Sequence, residues 1–260
     1  YQPSRGLGDV YKRQIWDKGE FMKIFYLLIL SFTLLPLYGD DHDVVKPGGE
    51  VGEFHYFDVL NPAAFVGAMD KFHASDCSKT WHSESGAAVA LMGITGSGWT
   101  HFVYVGYENL DQMEKGRALL QCPEFFELIA TLRAVSNEEA YLSQVGDLSL
   151  QLRDWTKDAY FMKFDMRVKP GSAGVYAAAW TEYVEASSSQ IGGSAGLVSM
   201  LGGTGYSSHM AFVGADSMSE LVSGLQSSQS GQAYTDFIEA VGDIREIRNQ
   251  MFVQPLKGYQ

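Results

Sequence analysis

Residues 90–106 read ALMGITGSGWTHFVYVG, and residues 198–214 read VSMLGGTGYSSHMAFVG. In both stretches an apolar run leads into a glycine-rich turn, which is followed by a histidine and a second apolar run. This pattern predicts two strands joined by a hairpin turn, and it lacks the strand-to-helix setting of a phosphate-binding loop. The two stretches match at a spacing of 108 positions, which pairs Met92 with Met200, His101 with His209 and Gly106 with Gly214.

The match continues on both sides of the two hairpins with little drift. Upstream, Phe57 and Asp58 correspond to Phe164 and Asp165 at a spacing of 107, and downstream Leu128 corresponds to Phe237 at 109. Drift that is confined to loops indicates a tandem duplication of one small domain. We therefore predict a first copy over residues 52–145, a linker over residues 146–158 and a second copy over residues 159–256.

Each predicted copy has the same order of local patterns. A strand (residues 54–60 or 160–168) is followed by a helix, the hairpin, a helical region in two pieces and a last strand (residues 139–145 or 248–254). The helical periodicity is carried by Phe65, Met69 and Phe72 in the first copy and by Tyr176, Trp180 and Tyr183 in the second. The order βαββαβ is the ferredoxin-like arrangement, so the predicted fold class is α+β.

This duplicated order resembles a tandem member of the dimeric α+β barrel group. In that group two ferredoxin-like units pack sheet to sheet and form one barrel, and the second helix of each unit is split. The resemblance implies an intramolecular α+β barrel made by one chain. The group includes cofactor-free monooxygenases, haem-handling enzymes, isomerases, stress proteins and ligand-binding regulators, so the resemblance implies no single reaction.

Composition excludes several classes of protein. The chain has 260 residues, with 19 Lys and Arg against 31 Asp and Glu, and a net charge of −12. This acidic balance argues against a nucleic-acid partner or an anionic membrane surface, because both need clustered basic residues. An apolar fraction of 46% is that of a globular chain, and two cysteines are too few for a disulfide-framework mini-protein.

The first part of the chain reads as processed sequence. Residues 22–39 combine a short basic start with an apolar run that is too short to span a bilayer, which predicts a secretory signal peptide. Residues 1–21 are interpreted as translated read-through from a library adapter, and residues 40–51 as a flexible acidic linker. The predicted mature protein is exported, periplasmic or extracellular, and not membrane-bound after cleavage.

The repeated histidines are the first candidates for a site. Strand alternation puts His101 and His209 on the face opposite their bulky neighbours, and we expect both to point between the two sheets. Asp58 and Asp165 lie on neighbouring strands and could orient these imidazoles as bases or ligands. The alternative is that all four are inherited polar positions with structural hydrogen bonds.

Other polar residues give weaker candidates. Lys163 and Arg167 could bind an anionic ligand in the same space, or they could form an ordinary solvated face. Cys77 and Cys122 could form a disulfide, which export would favour. His73, Cys77 and His82 have metal-ligand types at close spacing, but the second copy lacks them and no metal is predicted.

The sequence favours an exported protein that binds a small, partly apolar molecule between the two sheets. His101 and His209 would be its polar anchors. The alternatives are a cofactor-free monooxygenase, a haem-linked enzyme for which no sequence motif is present, and a structural module without a ligand. The chain would act as a monomeric pseudo-dimer or as a homo-oligomer.

Overall fold

The structure is a computed structural model, and it describes residues 44–260. The predicted read-through segment (1–21), the signal peptide (22–39) and residues 40–43 of the predicted linker lie outside the described residues. None of the described helices is long and apolar enough to cross a membrane. The strands are β1 (Val51–Phe57), β2 (Ala88–Thr95), β3 (His101–Tyr107), β4 (Leu142–Leu152), β5 (Tyr160–Val168), β6 (Ala195–Gly202), β7 (His209–Ala215) and β8 (Arg245–Tyr259).

Helices connect these strands in the predicted order. The first half contains α1 (Pro62–His73), α2 (Asp76–Ser85), α3 (Leu110–Leu119) and α4 (Pro123–Ala134), and the second contains α5 (Ala173–Ala186), α6 (Met218–Gln229) and α7 (Gln232–Val241). The start of α1 follows from local chemistry, because the Asn61 side chain accepts a hydrogen bond from the Ala64 amide and Pro62 occupies the first turn. Sequence reasoning missed α2, which begins at a Ser75 cap and ends at the left-handed Gly86.

The eight strands form one closed antiparallel barrel in the order β1-β3-β2-β8-β5-β7-β6-β4. Each half of the chain supplies four consecutive members of this ring, β4-β1-β3-β2 and β8-β5-β7-β6. The halves meet where β2 pairs with β8 and where β4 pairs with β6. The α+β barrel class is therefore confirmed, and every strand is hydrogen-bonded on both sides.

Two predicted boundaries are wrong. Residues 146–158 are not a linker, because β4 continues to Leu152 in order to pair with β6. The flexible linker predicted over residues 40–51 is ordered in its described part, where the Lys46 amide donates to the Gln151 carbonyl at 2.8 Å and the Gly49 amide to Leu148 at 3.0 Å. The first error arises because β4 is lengthened where it pairs with β6, and the second because the segment before β1 pairs with the extended β4.

Strand alternation divides the apolar residues into an interior core and two outer cores. The interior core contains Phe54, Tyr56, Phe102, Tyr104, Phe161, Met210 and Met251, among others. The outer cores lie between the strands and the helices. The first contains Phe57, Phe65, Met69, Val103 and Val105, and the second contains Met162, Met166, Tyr176, Trp180 and Ala211, each with further neighbours.

The barrel interior also holds an ion pair. The Lys163 ammonium contacts the Asp165 carboxylate, and their side chains are 3% and 0% exposed. The ammonium also lies 5.0 Å from the ring centre of Tyr56. Removal of two charges from water is costly, so each charge depends on its partner.

We expect Asp165→Leu to destabilise the protein by about 3–5 kcal/mol, because it leaves the Lys163 charge buried without a counter-ion. The double variant Lys163→Met with Asp165→Leu removes both charges and should lie within about 1–2 kcal/mol of the wild type. Urea unfolding measures both values. A single variant that is as stable as the double variant would contradict this account of the pair.

A disulfide joins Cys77 in α2 to Cys122, the residue that precedes α4, with a Cα–Cα distance of 6.5 Å. The bond links residues 45 positions apart. It holds two helices of the first half together, and the described part of the second half contains no cysteine.

Replacement of Cys77 and Cys122 by serine should lower the free energy of unfolding by about 3–4 kcal/mol, because the unfolded chain regains the freedom of a 45-residue loop. Denaturant unfolding in the presence and absence of a reductant gives the measurement. Reductant should destabilise the wild type and leave the double serine variant unchanged. Equal unfolding midpoints for the wild type and the variant, both without reductant, would refute the prediction.

Candidate functional site

A large cavity lies on the helix side of the first half, outside the barrel. It has a volume of about 750 Å³. Strands β1 and β3 form its floor, and α1, α2 and α4 contribute walls. The apolar lining comes from Phe57, Met69, Phe72, Trp81, Val103, Val105, Phe125 and Leu128, with further neighbours. We call this space the cleft.

A connected polar group stands on the floor of the cleft. Glu53 and His55 alternate with interior residues on β1 and therefore face the helices. The Glu53 carboxylate lies 3.0 Å from His55 Nε2 and accepts a hydrogen bond from Arg117 Nε at 2.8 Å. His55 Nδ1 lies 2.8 Å from the hydroxyl of Tyr141. The result is a chain Arg117–Glu53–His55–Tyr141 in which both imidazole nitrogens have partners.

The charges of this group support one another. Burial opposes ionisation of Glu53, but hydrogen bonds from His55 and Arg117 outweigh it, and the pKa of Glu53 is lowered. The hydrogen bond to Glu53 raises the pKa of Arg117. Burial raises the pKa of Tyr141. At neutral pH the group therefore contains a carboxylate, a guanidinium and a neutral phenol, with the guanidinium side chain 54% exposed.

A second polar group lies at the C-terminal end of α1. His73 Nδ1 lies 3.0 Å from His82 Nε2 and 3.1 Å from Ser78 Oγ. The His73 ring stacks on Tyr259 of β8 at 4.1 Å, and it also lines the cleft. Burial and the neighbouring His82 lower the pKa of His73 to about 4, so its ring is neutral at pH 7.

Two positions that line the cleft carry larger side chains in the second half. Met69 corresponds to Trp180 and Leu128 to Phe237, and both aromatic residues are buried. The Phe237 ring stacks on Tyr183 with centres 5.1 Å apart. The polar floor is also replaced, because Glu53 and His55 correspond to Tyr160 and Met162. The two halves therefore share a fold but differ in what their helices cover.

The barrel interior is occupied by its own side chains, apart from a cavity of about 70 Å³. Apolar residues such as Phe54, Met92, Leu148 and Val198 line most of it, and Lys163 and Glu50 are its charged neighbours. This cavity is far smaller than the cleft. The space between the two sheets is therefore mainly a packed core.

The predicted orientation of His101 and His209 is wrong. Both face the helices, where His101 stacks on Phe65 at 5.9 Å and His209 lies 6.1 Å from Tyr176. Their Nδ1 atoms lie 2.9 Å from Thr100 Oγ1 and 3.0 Å from Ser208 Oγ. The reason is volume, because bulky side chains such as Phe102 fill the barrel and the smaller alternating residues pack under the helices.

The predicted aspartate–histidine pairs are not formed. Asp58 follows the end of β1, and its carboxylate contacts the Asn137 amide group at 3.5 Å. Asp165 points into the barrel, on the opposite face of the sheet from His209. β1 does pair with β3, and β5 with β7, as predicted. In the second half the register places Asp165 and His209 on opposite faces of the sheet, and in the first half Asp58 lies beyond the end of β1.

Lys163 and Arg167 do not form an anion site together. Lys163 lies in the barrel interior, one of the two placements that the sequence allowed, and there it forms an ion pair with Asp165. Arg167 is exposed, and its guanidinium donates to the carbonyls of Gly205 and Tyr206. The structure therefore uses Arg167 to hold the loop between β6 and β7.

Sequence reasoning missed Glu53, His55, Arg117 and Tyr141. One signal was available, because β1 places two ionisable residues at alternate positions where the second half has Tyr160 and Met162. Polar residues that appear in only one of two matched copies are candidates for a function that only this copy performs. No comparable pattern identifies Arg117 or Tyr141.

The described residues offer few free donor atoms for a metal or haem. Cys77, Cys122 and Glu124 have closely spaced ligand atoms, but the disulfide engages both sulfur atoms. His55 has both nitrogens occupied, whereas His73 Nε2 has no hydrogen-bond partner among residues 44–260. Within the cleft, haem iron would bind His73 Nε2, with Arg117 and Arg133 available for the haem carboxylates. The described residues fit such a group at that one atom.

Similar folds occur among solved structures of several other proteins. A candidate monooxygenase from Fusobacterium nucleatum is 14% identical, with a TM-score of 0.59, over 81% of this chain and 94% of that one. An anthrone oxidase-like protein is 10% identical, with a TM-score of 0.57, over 82% and 95%. A candidate monooxygenase from Lactobacillus acidophilus is 10% identical, with a TM-score of 0.50, over 80% and 93%.

These likenesses establish the α+β barrel fold and leave the reaction undetermined, because the identities are low. The sequence matches no protein-family model and no curated protein. Function must therefore be argued from the side chains of the cleft.

The neutral state of His73 has a consequence for stability. Its pKa in the folded protein, about 4, is below the unfolded value of 6.5, so the unfolded chain binds the proton first. The contribution of neutral His73 to the free energy of unfolding is fully present above pH 6.5, and it is lost as the pH falls toward 4. Three neighbouring groups also act on the pKa of His73: His82 and Lys257 lower it, and Asp70 raises it.

We expect the wild type to lose about 1–2 kcal/mol relative to His73→Gln between pH 7 and pH 4.5, less than the full pKa shift implies because the ring is partly solvated. Urea unfolding of both proteins at several pH values provides the test. A stability difference that stays constant across this range would show that the folded protein does not keep His73 neutral.

Proposed function

We propose that this protein binds a small, planar, largely apolar organic molecule in the cleft of the first half. The observation that carries the proposal is the polar chain Arg117–Glu53–His55–Tyr141 on the floor of a cavity whose walls are mostly aromatic and aliphatic. A concave apolar cavity with a few convergent polar groups is the usual form of a small-molecule site. The ligand site is thus placed between sheet and helices, and not between the two sheets as the sequence led us to expect.

The cleft lining contains two glutamates, Glu53 and Glu138, and two arginines that could bind an acidic group of the ligand. Arg117 is half exposed, and its Nε donates to Glu53, while its terminal nitrogens have no hydrogen-bond partner among residues 44–260. Arg133 also lines the cleft. A planar guanidinium binds a carboxylate through two parallel hydrogen bonds. The acidic end of the ligand would lie near these arginines, while its rings contact Phe72 and Phe125.

The proposal predicts that the cleft can be closed with the side chains of the second half. The double variant Met69→Trp with Leu128→Phe should weaken binding at least tenfold, because the larger side chains occupy the ligand volume. The probe is 6-hydroxy-2-naphthoate, a planar bicyclic acid whose fluorescence reports binding. Urea unfolding establishes that the variant is folded.

The matched control is His209→Gln, which changes a histidine on the helix side of the second half and should leave the dissociation constant unchanged. If the wild type does not bind the naphthoate, or if the double variant binds it as well as the wild type does, the proposed site is wrong.

An enzymatic role at the same site is the second candidate. The contacts Tyr141–His55–Glu53 favour it, since a phenol, an imidazole and a carboxylate in series can accept or deliver a proton at the floor of the cleft. A cofactor-free monooxygenase of the α+β barrel type would use them on the bound molecule, and a haem-linked enzyme would bind iron at His73. An oxygen electrode tests the first activity with the naphthoate, and a Soret band after addition of hemin tests the second.

We also infer that the two halves arose by tandem duplication of a ferredoxin-like unit. The repeated spacing near 108 residues and the matching order of strands in each half of the ring support this inference. The chain completes its barrel without a second copy, which favours a monomeric pseudo-dimer over a homo-oligomer.

We propose, finally, that the protein is exported. The apolar run in residues 22–39 and the disulfide between Cys77 and Cys122 support this, because disulfides persist in oxidising compartments. Mass spectrometry of protein expressed from Met22 in a bacterial host should find the N-terminus near Asp40 in the periplasmic or extracellular fraction. An intact apolar segment on exported protein would contradict the signal-peptide interpretation.

A further inference from the structure

The tautomer of His82 is determined by a backbone group. His82 Nδ1 lies 2.6 Å from the carbonyl oxygen of Ala87, and a carbonyl can only accept a hydrogen bond. The hydrogen of a neutral His82 ring is therefore on Nδ1. Its Nε2 atom carries a lone pair and acts as an acceptor.

The tautomer of His73 follows from that of His82. His82 Nε2 lies 3.0 Å from His73 Nδ1, so His73 must donate the hydrogen of this bond. Ser78 Oγ lies 3.1 Å from the same Nδ1 atom and can accept a second branch of this hydrogen bond. A neutral His73 ring with its hydrogen on Nδ1 has a bare lone pair on Nε2.

The His73 ring is held in place by its neighbours. The Tyr259 ring stacks on it with the ring centres 4.1 Å apart and an angle of 16° between the planes. The centre of the Trp81 ring lies 6.2 Å from that of His73. The Tyr259 hydroxyl donates to Asp70 at 2.8 Å, and Lys257 donates to the same carboxylate oxygen at 2.7 Å. Because Tyr259 and Lys257 belong to β8, the second half of the chain fixes this wall of the first-half cleft.

We propose that His73 Nε2 accepts a hydrogen bond from a hydroxyl group of the bound molecule, which makes the ligand a hydroxylated aromatic acid. This inference rests on the proposed function of the cleft. His73 lies in α1 against Tyr259 of β8, whereas Arg117 contacts Glu53 of β1, so the hydroxyl and the acidic group contact different parts of the lining. Beside Phe72 and Trp81 a ligand group is desolvated, which costs an ammonium group more free energy than a neutral hydroxyl. The donor on the ligand is therefore a hydroxyl.

The arrangement gives selectivity against ethers. An acceptor that cannot become a donor has no favourable contact with an ether oxygen, which also offers only lone pairs. The tautomer forced by Ala87, His82 and His73 therefore discriminates between a hydroxyl and a methoxy group at the same ring position. Sites built to hydrogen-bond a hydroxyl reject analogues that lack it.

The experiment compares 6-hydroxy-2-naphthoate with 6-methoxy-2-naphthoate. Wild-type protein should bind the hydroxyl compound about tenfold more tightly, and His73→Phe, which keeps an aromatic ring against Tyr259, should bind the two compounds equally. His82→Phe removes the acceptor that fixes the tautomer, and it should reduce the difference between the compounds. His209→Gln should retain the full difference.

Nitrogen-15 spectra of the histidine rings give a readout that requires no variant. The His73 signals should show a hydrogen on Nδ1, and the Nε2 signal should shift when the hydroxyl compound binds and stay in place with the methoxy compound. A hydrogen on His73 Nε2 in the free protein would overturn the inference.

The outcomes separate this inference from the proposed function. If both naphthoates bind, compete with each other and are excluded by Met69→Trp with Leu128→Phe, the cleft is the ligand site. A preference for the hydroxyl compound that survives in His73→Phe, or the absence of any preference in the wild type, would then refute the role of His73 alone. Failure of both compounds to bind would overturn the proposed function and this inference together.

Discussion

Closure of the barrel is the constraint on which the rest of the structure depends. All eight strands are hydrogen-bonded on both sides, so the sheet has no edge, and each strand has one face inside the barrel and one face outside. The interior is then filled by aromatic and methionine side chains from both halves. Helices can cover only the outer face, and the space between sheet and helices is where the two halves are free to differ.

The two halves use that freedom in different ways. In the second half, Trp180, Tyr183 and Phe237 complete a core under the helices. In the first half, smaller residues leave the cleft open, and Glu53 and His55 place polar groups on its floor. A cavity costs packing energy, and an ionised carboxylate near the core costs solvation. Both the cavity and the partly buried carboxylate destabilise the first half. The disulfide that links α2 to the residue before α4 lies in the same half.

The second half nevertheless contributes to the cleft through β8. This strand crosses the seam, pairs with β2, and brings Tyr259 onto the ring of His73. A site in one half is thereby supported by the end of the other half, as expected where two units close a single barrel. The buried Lys163–Asp165 pair has a separate role, because it lies inside the barrel on the opposite face of the sheet.

Much of the fold could be predicted from the sequence, and the site could not. The matching hairpins at residues 90–106 and 198–214 indicate the order of elements, and the constant spacing indicates two similar halves. The sequence allows a disulfide between Cys77 and Cys122, and the structure contains it. Alternation could not tell which face of β3 is interior, since Phe102 and Val103 are both buried. The predicted orientation of His101 and His209 is wrong for this reason.

Glu53 and His55 show what comparison of the two halves can add. Each aligns with an apolar or aromatic residue of the other half, and this difference marks the cleft without any knowledge of the barrel. Arg117 and Tyr141 reach the same group from α3 and from the residue before β4, and only the folded chain brings them together. Their contribution depends on packing over long separations, which local sequence patterns do not encode.

A crystal structure of the protein grown with 6-hydroxy-2-naphthoate tests the central claim most directly. The account predicts density for the ligand on the helix side of the first half, with its rings against Phe72, its carboxylate near Arg117 and its hydroxyl at His73 Nε2. Density only inside the barrel, beside Met92 and Phe102, or a cleft closed by the collapse of α1 onto the sheet, would contradict it.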